Sequence, residues 1–173
     1  VWISIIFINS IYSKIKFIYA GTNNTYMEKI FNKYGIIDVY QTKGNLNHFE
    51  SVTLQSKSDL LLLIINSKDS RYSTQGIITG KFFEYYSSHK PILAYVPKKW
   101  ELSDLLNNES KSKLIFPNNM EICYKYLKRL VIEWDKYENN FYVDRDINKY
   151  LYSNQFKNFI KYLEREEKLK YFT

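Results

Sequence analysis

The chain has 173 residues, 45% of them hydrophobic, and 25 Lys and Arg against 18 Asp and Glu give it a net charge of +7. That length holds one domain with a real core and is too short for two ordinary ones. The single cysteine, Cys123, excludes an internal disulfide and a cysteine-based structural zinc site and fits a reducing compartment, the cytoplasm. The lysines are interleaved with acids, as in Glu164-Arg165-Glu166-Glu167-Lys168, which reads as a solvated helix face and not as a nucleic-acid surface.

The first segment, Val1-Trp2-Ile3-Ser4-Ile5-Ile6-Phe7-Ile8, falls far short of the roughly 20 apolar residues of a spanning helix and lacks the flanks of a signal peptide. It is expected to start inside a buried helix of a larger protein. Buried strands are then expected at Lys16–Ala20, Ile36–Tyr40, Asp59–Ile65, Pro91–Val96 and Lys113–Phe116. Helices are expected over 24–34, closed by Gly35, and over 46–57, 79–89 and 118–137. The last of these carries an apolar stripe of Ile122, Tyr126, Leu130 and Trp134. A further amphipathic helix spans 147–168. Strand-helix alternation of this kind argues for an α/β fold, Rossmann-like, with a parallel sheet covered by helices on both faces.

Ligands of such sheets bind beyond the carboxyl ends of the strands. The turns expected there are Gly21-Thr22-Asn23-Asn24, Thr42-Lys43-Gly44-Asn45, Asn66-Ser67-Lys68-Asp69-Ser70 and Pro97-Lys98-Lys99. The stretch Gly76-Ile77-Ile78-Thr79-Gly80-Lys81-Phe82-Phe83-Glu84-Tyr85-Tyr86 stands out, because Thr79 and Gly80 fall where a helix begins and Glu84 lies one turn in. Amides at a helix start attract phosphate. A carboxylate one turn on suits a pair of sugar hydroxyls.

Asp59 with its aliphatic run, Thr79-Gly80-Lys81-Phe82-Phe83-Glu84-Tyr85 and Lys90-Pro91-Ile92-Leu93-Ala94, in that order, resemble the carboxy-terminal domain of group 1 glycosyltransferases of the GT-B fold. The similarity runs from about Lys16 to Trp134, and Gly44-Asn45-Leu46-Asn47-His48 resembles the family's glycine turn. The resemblance implies a domain that binds a nucleotide-sugar donor over 1–137, and a crossover helical segment over 138–173 that would pack on an amino-terminal acceptor domain. Glu84 would accept hydrogen bonds from the ribose hydroxyls. The amides near Thr79, Gly80 and Lys81 would receive the diphosphate, with the Lys81 ammonium adding charge. Gly44 and Asn45 would sit near the base, and Gly21 would let a backbone approach closely. Such enzymes stabilise a departing nucleoside diphosphate with oriented amides and cations, so no metal and no cofactor is expected.

Two departures accompany the resemblance. The first glutamate of the family's E-x7-E pair falls at Gly76, and the family's basic first loop would lie ahead of Val1. No catalytic residue is therefore expected in this chain, and sugar transfer by it alone is not expected. The implied whole enzyme would build a bacterial surface polysaccharide or glycolipid, in the cytoplasm or peripheral to the inner membrane. Pairing of two copies through the last helix would be an artefact of the missing partner. A non-catalytic α/β module that contacts protein or nucleic acid stays open as an alternative, as does a nucleotide-sugar epimerase of the same fold. Residue by residue, Lys81 and Glu84 could form a surface ion pair, Thr79 could be an N-cap only, and Phe82, Phe83 and Tyr86 read as core. His48 and His89 lack metal-ligand spacing and read as structural.

Overall fold

Short apolar runs become strands and the stretches between them become helices in the computed structural model of the chain, which describes residues 2–7, 15–65, 79–117, 119–136 and 141–170. Six strands form one sheet. They are β1 (Trp2–Phe7), β2 (Ile15–Ala20), β3 (Tyr40–Gly44), β4 (Leu60–Ile64), β5 (Ile92–Tyr95) and β6 (Lys113–Ile115), in the spatial order β3-β2-β1-β4-β5-β6. Parallel pairs join β2 to β3, β4 to β5 and β5 to β6, while β1 runs antiparallel to both β2 and β4. The fold is α/β and Rossmann-like, with one central strand reversed.

That reversed strand corrects the expectation of a buried helix at the chain start. Trp2–Phe7 pairs along its length with Ile15–Ala20, and its Ser4 and Ile5 lie opposite Leu61 and Leu60. Periodicity cannot separate a short apolar run in a buried strand from one in a buried helix, so pairing partners decided the outcome. A second correction concerns Ile36–Tyr40. Gly35 turns the chain with φ +66°, Ile37–Val39 makes one 3-10 turn, and the strand starts only at Tyr40. The expected turn at Thr42-Lys43-Gly44 is thus the end of β3.

The helices of the first unit are α1 (Asn24–Lys33), α2 (His48–Ser56), α3 (Gly80–Ser87), α4 (Ser103–Asn107) and α5 (Met120–Lys136). Alternation along the strands sends Leu60, Leu93 and Ile115 to one face, where they join Tyr126, Leu130 and Val131 of α5 and Phe141 in a buried cluster, with Phe17 packed against it. Phe31 of α1 extends this layer, 4.9 Å from the Phe17 ring and 4.7 Å from the Tyr40 ring. The α5 stripe is rotated from its expected centre. Ile122 is exposed, and Cys123 and Leu127 pack against the cluster in its place.

Leu61, Leu63, Ile92 and Ala94 are buried on the opposite face. There α2 and α3 are linked by Gln55 Nε2, which donates to Glu84 Oε2 at 3.5 Å. Phe82 and Tyr86 are buried, as their apolar character requires, and Phe82 meets Trp100 edge-on at 5.3 Å. A capping box opens α2: Glu50 N donates to Asn47 Oδ1 at 2.9 Å, and Asn47 N donates to Glu50 Oε2 at 2.8 Å. Each bond satisfies an amide that the helix start leaves open.

The chain divides into a unit of residues 1–143 and a second of 144–173. The second holds a 3-10 turn at Asn148–Tyr150 and α6 (Tyr152–Lys170). Its start is pinned by Asn148 N donating to Asp146 Oδ1 at 3.0 Å and Asn154 Nδ2 donating to Asn148 O at 2.7 Å. Phe156, Phe159 and Tyr162 on α6 are exposed. Among the described residues, no helix is long and apolar enough to cross a membrane.

Candidate functional site

Five strands point their carboxyl ends to one edge of the sheet, and the turns there carry most of the residues singled out from sequence. After β2 comes Gly21, and β3 ends at Gly44. The Gly21 N–H donates to Gly44 O at 2.7 Å, so these two positions, distant in sequence, form one corner. Gly44 N–H donates to Thr42 Oγ1 at 3.1 Å, and the Thr42 hydroxyl donates in turn to Asn24 Oδ1 at 2.6 Å. This relay ties the end of β3 to the first turn of α1. Gly44 has φ +66°, a left-handed conformation that suits glycine, and Asn45 beside it is exposed. The role given to Gly21 is narrowed by the structure: it is buried, and its amide is spent on Gly44.

The second group of residues is the start of α3. The helix runs from Gly80 to Ser87, and the chain enters the amino end of β5 at Ile92, so the first turn of α3 lies toward the same carboxyl-end edge. Thr79 holds the N-cap position with extended backbone, yet its side chain makes no capping bond. Its hydroxyl is buried with no hydrogen-bond partner among the described residues. Phe82 N–H donates to Thr79 O at 3.0 Å. Gly80 is exposed, and a Cβ built on it would meet nothing within 4 Å. Lys81 and Glu84 are partly buried, and the Glu84 carboxylate faces α2 through Gln55.

The two groups do not touch across the sheet in a direct line of strands. Between β2 and β4 stands β1, which presents its amino end to this edge with Trp2 opposite Ala20. The departure at Gly76 and the turn Asn66–Ser70 lie outside the described residues.

His89 has a structural part. His89 follows α3 with φ 57°, accepts from Val143 N–H at 2.8 Å through its carbonyl, and has Nδ1 3.0 Å from Val143 O. Its ring stacks on Tyr142 at 5.0 Å. His48 is exposed in the first turn of α2. Burial pushes the Cys123 thiol above its ordinary pKa, which keeps it protonated and poorly nucleophilic.

Sequence reasoning missed Thr42 and Asn24 as the residues that set the corner. Both belong to the polar turns expected at the strand ends, and a hydroxyl two residues before a glycine is a recurrent turn-former. No protein-family model and no curated protein matches the chain.

Proposed function

We propose that the first unit is the donor-binding domain of a glycosyltransferase, which grips a nucleotide-sugar by its nucleoside diphosphate and would pass the sugar to a polysaccharide or glycolipid acceptor held by another domain. The observation that supports this reading is the arrangement of the carboxyl-end edge, toward which the Gly21–Gly44 corner and the uncapped start of α3 both lie. Helix-start amides that no side chain caps suit a diphosphate. Glu84 lies one turn further along the same helix, and ribose hydroxyls would compete with Gln55 for its carboxylate.

A panel of nucleoside diphosphates in a thermal-shift or calorimetric titration tests the reading. One base should raise the unfolding temperature in a saturable way, because a ligand bound only to the folded state stabilises it by mass action. Glu84→Ala should weaken that binding about tenfold, in line with loss of hydrogen bonds to a charged acceptor. Absence of binding by every nucleotide at millimolar concentration would remove the reading.

One observation favours a second reading, an α/β binding module without catalysis. The antiparallel β1 occupies the sheet centre, where Rossmann domains carry their phosphate-binding loop. A module of that kind would show no nucleotide preference in the same panel.

A further inference from the structure

Beside the Gly44–Asn45 turn, α2 leaves part of its sheet face uncovered. Between this helix and the β2–β3 pair lies a groove of about 540 Å³. In the register of the parallel pair, Ile18 sits beside Gln41, and Lys16 and Lys43 flank them on the same face. Ile18 and Leu54 line the groove, and Phe49 forms part of its rim with 79% of its surface exposed. Lys57 stands at the other end of α2.

Lysines outnumber carboxylates in the lining of this groove, with Lys16, Lys43 and Lys57 beside Glu50. Among the described residues, no carboxylate lies within ion-pair distance of Lys16, Lys43 or Lys57, and the ion pairs found there are on α5. Glu50, the acid that lines the groove, is turned back onto the amide of Asn47 by the capping box. Three ammonium groups around an apolar wall, in a concavity within the usual size range of small-ligand sites, select for charge and apolar surface together.

We infer that the groove binds a small soluble organic anion: a flat apolar body laid against Phe49, Leu54 and Ile18, with a sulfonate-, phosphate- or carboxylate-type group met by Lys43 and Lys57. The concave wall suits a discrete molecule better than a bilayer, which calls for apolar side chains on a convex tip. This inference does not require the donor reading: Lys43 and Leu46 flank the Gly44–Asn45 turn, and Phe49, Leu54 and Lys57, which would meet the ligand, belong to α2 and its carboxyl end.

The test uses the full chain and two fluorescent probes of similar shape, the anion 1-anilinonaphthalene-8-sulfonate and its uncharged relative N-phenyl-1-naphthylamine. The anion should bind saturably at one site, and the uncharged probe several-fold more weakly. Lys43→Glu with Lys57→Glu should weaken the anion at least about fivefold, as reversal of nearby exposed charge predicts, with less effect on the uncharged probe. Phe49→Ala should weaken both probes. Circular dichroism and unfolding temperature establish that each variant is folded, and Phe49 and both lysines are exposed enough to be replaced without loss of core packing. Binding of the anion that is non-saturable, or unchanged in folded Lys43→Glu/Lys57→Glu and Phe49→Ala proteins, would overturn the inference. So would lysine-dependent binding to anionic phospholipid vesicles without any saturable site for the soluble probe.

Discussion

Two glycines separate backbone need from ligand need at single positions. Gly44 holds a left-handed φ of +66° with open space around it, so Gly44→Ala should cost roughly 1–2 kcal/mol through conformation alone. Gly80 has open space as well and ordinary helical backbone, so Gly80→Ala should leave stability unchanged or raise it by up to about 1 kcal/mol. Thermal denaturation measures both. If a diphosphate sits against the start of α3, Gly80→Ala should nevertheless weaken nucleotide binding, and that split between stability and affinity marks a contact surface. Tyr126 makes a different point. Its hydroxyl donates to Lys111 O at 2.6 Å, and burial pushes its pKa far above the ordinary tyrosine value. The folded state therefore favours the protonated phenol. Stability from this group is complete below the unfolded-state pKa of about 10 and declines as pH rises beyond it. Tyr126→Phe should lose about 1 kcal/mol at neutral pH and flatten the fall in stability above pH about 10, measured by urea denaturation across the alkaline range.

Elements were legible in the sequence where pattern and local chemistry agreed. The sequence predicts a helix over 46–57, and the structure forms it from His48 to Ser56 behind an Asn47–Glu50 box that satisfies its first amides. Asn47→Ala should cost about 1 kcal/mol, seen as a lower unfolding temperature, and should release Glu50 toward the groove lysines. The apolar stripe of α5 was equally legible, although its centre shifted to Leu130 and Val131. Leu130 is fully buried, and Leu130→Ala should cost about 2–5 kcal/mol in chemical denaturation. Legibility failed where sequence-distant partners decide. Ile36–Val39 has strand-like composition, but the turn at Gly35 leaves Ile36 exposed and only Tyr40 onward reaches β2. At the candidate site, the helix start at Thr79–Gly80 and the two glycine turns could be read directly. Their joining by the Gly21–Gly44 bond and the Thr42–Asn24 relay could not, because a hydrogen bond between turns 18 or more residues apart leaves no local pattern.

For the molecule as a whole, the reversed strand matters most. The pair β2–β3 and the trio β4–β5–β6 share no direct hydrogen bonds, and β1 joins them. Ile5 stands opposite both Phe17 and Leu60, so Ile5→Pro removes a donor in the middle of the strand that joins them. It should cost about 3 kcal/mol or more, measured by urea denaturation. The consequence reaches assembly as well. Before Trp2–Phe7 docks, β2 and β4 each offer a bare edge of the kind that recruits any passing strand. The same six-residue segment from a second copy could fill that slot with identical pairing, so a concentrated refolding mixture is where exchanged, interlocked dimers of this chain should first be sought.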